Sequence, residues 1–162
     1  MKQSFARCVM LVMPLAAGVY SQAAFATCPD SIPYKPIQGV PQTVNDLGKM
    51  FAQEQCDVVT PGGSEYSPGF SDDDRTKFQK SGDLEKVIAR VKDSATFKTG
   101  VAIIRKMSAD QRAAVFTAYE RPLYLTWGMN GRIDDNGTTN AGYDVELEIA
   151  KALTNAVKKA LQ

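Results

Sequence analysis

Proline is distributed unevenly along this chain, and that unevenness limits the fold more than any other feature. Pro29, Pro33, Pro36, Pro41, Pro61 and Pro68 crowd into one stretch, and Pro122 alone lies beyond it. Proline has no amide donor and its ring obstructs a continuing helix. Residues 27–70 are therefore expected to form a proline-rich extended strap and loop with one helix inside, and residues 71–162 a helical core of the same domain. The inner helix is expected over roughly Thr43 to Gln55. There Val44, Leu47, Met50 and Phe51 recur at helical spacing, leaving Asp46, Lys49 and Glu54 to solvent. Pro61-Gly62-Gly63 and Ser67-Pro68-Gly69 are turn chemistry and mark residues 57–70 as a long surface loop.

Beyond residue 70 the pattern changes to capped helices. Ser71 before Asp72, Asp73 and Asp74 is an N-cap with acids where the helix dipole favours them, and Phe78 is its inward anchor. Gly82 ends that helix, and Asp83 is placed to cap another with Leu84, Val87, Ile88 and Val91 on one face. Residues 96–107 suit either a helix or a strand, and helix is the reading adopted. Ser108 with Gln111 forms a capping box that opens a helix through Glu120. Residues 123–133 carry the single tryptophan and fit a continuing helix or a buried strand. Residues 141–162 form the clearest element, with Val145, Ile149, Leu153, Ala156, Val157, Ala160 and Leu161 along one face and Lys158 and Lys159 at its end.

The first 26 residues read as a cleaved signal. Lys2 and Arg7 give a positive start, Cys8 to Tyr20 a short apolar core, and Ala24-Phe25-Ala26 the small residues a signal peptidase accepts. Such a core is too short for a stable anchor, so no membrane attachment is expected after cleavage. A lipidated Cys28 is disfavoured, because Thr27 stands where a lipoprotein signal has Gly or Ala. Export, to the periplasm first and to the medium second, is the expectation. Cys28 and Cys56 then remain as an even pair and are expected to form a disulfide closing a loop of about 29 residues.

Composition removes whole classes of function. Histidine is absent, so the usual general base and the commonest transition-metal ligand are missing, and neither a metal nor a cofactor is expected. With the signal removed, 17 of the 19 basic residues face all 18 acids, so the basic footprint that nucleic acid requires is lacking. Carboxylate chemistry survives in principle through Glu65, Glu120, Asp134, Asp135 and Asp144. A glycan hydrolase needs two of these across a cleft. Residues 134–140 carry oxygen ligands without the spacing of an EF-type calcium loop and read as an Asp-Asn-Gly turn.

Gly142-Tyr143-Asp144-Val145-Glu146-Leu147, with Ala150-Lys151-Ala152-Leu153, resembles the opening helix of the periplasmic amino-acid-binding proteins. In that family the segment stands near the start of a much longer chain. The likeness is limited to this one amphipathic helix, and neither fold nor ligand is carried over.

The expected fold is all-α, a small bundle of four to six short helices preceded by the strap and held by one disulfide. The expected function is an exported protein that binds another protein, as an inhibitor, immunity or assembly accessory factor, with no catalytic residues. The alternatives are a carboxylate-dependent cell-wall glycan hydrolase and a small-ligand carrier. Tyr66 and Phe70 on the loop, with Tyr124, Trp127 and Arg132 in the aromatic stretch, are the candidate partner contacts, being the residue types that dominate binding hot spots.

Overall fold

The architecture comes from a computed structural model and is described for residue 32, residues 34–59, 71–122 and 141–162. Among these residues there are six α-helices and no strand: α1 Gln42–Val59, α2 Asp72–Ser81, α3 Asp83–Asp93, α4 Ala95–Arg105, α5 Ala109–Tyr119 and α6 Ala141–Leu161. The all-α expectation holds, and residues 95–105 are helix with the Ser94 side chain as N-cap, so the strand alternative there is discarded. Helix α1 runs past Gln55 through Cys56 to Val59, with Cys56 and Val58 extending its buried face.

The punctuation between helices follows local chemistry. Ser71 and Ser108 each accept from the amide three residues on, while Asp74 and Gln111 reach back to the cap amide, completing two capping boxes. Gly82 closes α2 at φ 74° and is also the first cap of α3, in a left-handed conformation that glycine adopts without a Cβ penalty. Asp83 is thus the first residue of α3 rather than its cap, and its amide donates to the Ser81 hydroxyl.

Helices α1 and α6 make the central pair, with α4 against both and α3 against α6 and α4; α2 and α5 flank α6. The core between them holds Val44, Leu47, Phe51, Phe78, Val91, Ile104, Val115, Val145, Ile149 and Leu153, all sealed from solvent. Burying side chains of this kind contributes about 1.5–3 kcal/mol each and is the main source of cohesion.

Residues 34–41 precede α1 without regular structure and are held to it by side chains. Asn45 accepts from the Ile37 amide at 2.7 Å and donates to the Ile37 carbonyl at 3.3 Å, imitating a backbone pair. The hydroxyl end of Tyr34 abuts Gly48, its oxygen 2.1 Å from where a Cβ would stand. Tyr119 closes the same spot from α5, donating to the Val44 carbonyl at 2.6 Å and meeting the Phe51 ring edge-on at 5.0 Å. Burial pushes the Tyr34 phenol up to about 12 and raises that of Tyr119 further, because a phenolate has no solvation there.

Ion pairs tie the layers together. Glu54, expected at the surface, is instead 8% exposed and accepts both forks of the Arg90 guanidinium from α3. That hydrogen bond, before the opposing cost of burial, raises the Arg90 pKa. Arg75 joins α2 to Asp144 of α6 at 3.0 Å, and Lys158 of α6 reaches Glu120 at 2.7 Å.

Candidate partner-binding groove

The five aromatic and basic contacts expected from sequence, Tyr66, Phe70, Tyr124, Trp127 and Arg132, lie outside the described residues. So do the signal, Cys28, Glu65, Asp134 and Asp135. Of the expected site residues only Cys56 is described, and it is fully buried on the face of α1 that packs on Ile32. The remaining two carboxylates are not brought together. Asp144 lies in the first turn of α6 and Glu120 is bound to Lys158 near its end. Those α6 positions are about 21 Å apart along the helix, well beyond the 5–9.5 Å of a glycosidase pair. Among the described residues no group of three or more Cys, Asp or Glu side chains is arranged to hold a metal ion. Nor is any described helix long and apolar enough to cross a membrane.

What the packing does create is a groove on the outer face of α3, α4 and α6. On α6, Ala152, Ala156 and Ala160 stand four residues apart and share one side of the helix, where their small side chains leave a valley. Ile88 and Lys92 of α3 form the opposite wall of a hollow of about 440 Å³, which Asn155 and Lys159 complete. A second hollow of about 300 Å³ adjoins it, lined from α4 by Phe97, Lys98, Val101, Ala102 and Arg105. Lys92 and Ala160 line both, so the two form one depression across three helices. Phe97 and Val101 are its buried floor.

The charges around this depression have one sign. Lys92, Lys98, Arg105 and Lys159 line it, and among the described residues no carboxylate does. Two of the four serve the fold: Lys98 donates to the Asp93 carbonyl at 2.9 Å and Arg105 to the Ala160 carbonyl at 2.5 Å. Each satisfies an orphan carbonyl at the end of a helix and complements its dipole. Lys92 and Lys159 have no acid partner among the described residues. The contrast with Lys158 is informative, because that neighbour turns away to Glu120 and over the Phe116 ring at 5.2 Å.

A smaller hollow of about 250 Å³ lies between Tyr34, Lys35, Pro36, Ile37, Gln38, Ala118 and Arg121. The Tyr34 hydroxyl has no hydrogen-bond partner among the described residues, but it points at Gly48 and Tyr119, into the packing against α1.

Sequence reasoning did not find the groove. It placed Ala156 and Ala160 on the buried face of the last helix and assigned Lys159 to the dipole. The visible signal was three alanines at four-residue spacing beside an unmatched lysine.

No family model, no curated protein and no solved structure matches this chain. The class of protein is thus defined by its own geometry, an all-helical bundle with a cation-lined apolar groove.

Proposed function

We propose that this chain is an exported, non-enzymatic protein that binds another protein, and that the groove formed by α3, α4 and α6 is where it does so. The observation carrying this reading is the lining itself: Ile88 and three alanines over buried Phe97 and Val101, rimmed by cations with no opposing acid among the described residues. Cations gathered around apolar side chains offer electrostatic complementarity to an acidic partner surface.

Export is supported by the positive start, short apolar core and Ala24-Phe25-Ala26. The Cys28–Cys56 bond is part of the same proposal. Its support is that Cys56 has no free thiol and that, with Cys8 removed, Cys28 is the remaining cysteine. In this reading the disulfide adds to the side-chain bonds that hold residues 34–41 against α1.

The test is to express the precursor with a C-terminal tag and recover the chain from the periplasm and the medium. Amino-terminal sequencing should begin at Thr27. Capture under oxidising conditions, read by quantitative mass spectrometry, should enrich a specific partner protein. A chain recovered uncleaved from the cytosol, or an empty capture, refutes the reading.

A further inference from the structure

We propose that the groove takes an acidic amphipathic α-helix of the partner protein, its apolar side on the alanine rail of α6 and its carboxylates on Lys92 and Lys159. This rests on the protein-binding reading above and specifies the chemistry of the occupant.

Three observations lead to a helix with acids. First, every wall of the groove is itself helical, with backbone groups bonded inside the helices. An extended peptide would find no edge to pair with and would bury unsatisfied amides, whereas a helix arrives with its backbone bonds already made. Second, the rail Ala152 to Ala160 runs about 12 Å, roughly two helical turns. Its small side chains let a second helix approach at the short end of the usual 8–10 Å between axes. Third, Lys92 and Lys159 flank the larger hollow from opposite helices without a carboxylate partner among the described residues. A helix lying between them meets both with acids on its two edges, and a neutral or basic helix would leave both ammonium groups partly desolvated and unpaired.

An anionic membrane surface offers the same charge. The half-buried apolar lining of Ile88, Ala152, Ala156 and Ala160, however, lies in a depression between helices, a shape that a helix fills and a flat bilayer does not.

The experiment is a selection on the purified, oxidised mature protein with a phage-displayed library of helical peptides of about 18 residues, randomised on one face. Selected helices should carry two or more acids on the bound face and bind more weakly as salt rises. Lys92→Glu with Lys159→Glu should cut their affinity at least about tenfold, while Lys80→Glu on α2 should leave it unchanged. Ala156→Gln, which fills the rail, should abolish binding; circular dichroism establishes that each variant is folded.

The proposal is overturned by acid-poor selected helices, by no selected helix at all, or by affinity indifferent to the double reversal. Vesicles of phosphatidylglycerol that bind the wild type and release the double variant would make the groove a lipid site and overturn it too. If the native partner is captured equally by wild type and double variant, this inference fails and the protein-binding reading stands. An empty native capture removes that reading as well.

Discussion

Replacing Gly48 by alanine isolates the packing that fixes the segment before α1. In an ordinary exposed helix interior, Gly→Ala stabilises by about 0.5–1 kcal/mol. Here the new methyl would sit 2.1 Å from the Tyr34 hydroxyl, 2.7 Å from its Cζ and 2.9 Å from Cε1 of Tyr119. Tyr119 is pinned by its bond to the Val44 carbonyl and its contact with Phe51, so Tyr34 must yield. Overpacking of this kind costs about 1–3 kcal/mol. Set against the helix gain, the net expectation is a loss of about 0–2.5 kcal/mol, where an unhindered site would gain. The cause is separable in a double-mutant cycle with Tyr34→Ala, followed by urea unfolding of the oxidised protein. Once the Tyr34 ring is gone, Gly48→Ala should cost at least about 1 kcal/mol less than in the wild type. If Gly48→Ala stabilises the parent chain, or the two changes are additive, the close approach of Tyr34 to α1 is wrong.

Three further perturbations follow from named contacts. Arg90→Ala strands the nearly buried Glu54 carboxylate and should cost about 1–3 kcal/mol, with Glu54→Gln plus Arg90→Ala recovering part of it; equal stability of the three chains by chemical unfolding would show that the pair is idle. Reduction of the mature chain should lower its melting temperature, because the loop of about 29 residues would regain roughly 3.5 kcal/mol of chain entropy. An unchanged transition would mean that Cys28 and Cys56 are not joined. At high pH, Tyr34 and Tyr119 stay protonated in the folded chain and ionise near the ordinary 10 when unfolded. A raised folded-state pKa gives stability that is complete below pH 10 and lost as pH rises through about 12. Stability flat from pH 9 to about 12, with early phenolate absorbance, would place these rings in water.

How much of this was legible in the sequence depends on how local each cause is. The N-cap at Ser71, the capping box at Ser108 and the turn at Gly82 need only residues three or four apart, and they stood where the letters placed them; that Asp74 completes a second box at Ser71 emerged from the structure. The end of α1 was misjudged, because the helix has no capping signal at Gln55 and its apolar face continues through Cys56 and Val58. Glu54 was read as solvated, since its partner Arg90 is 36 residues away and only packing brings α1 and α3 together. The groove escaped for the same reason. Ala156 and Ala160 do pack against the core, and only with α3 and α4 in place does it emerge that they also edge a hollow.

The most direct measurement of the central claim is photocrosslinking in the exporting cell. With p-benzoylphenylalanine in place of Ala102 or Asn155, exposed at the edges of the groove and off the alanine rail, ultraviolet light should join the chain to one protein partner. In place of Ala113, exposed on α5, it should not. A partner trapped from Ala113 and missed from both groove positions would contradict the account.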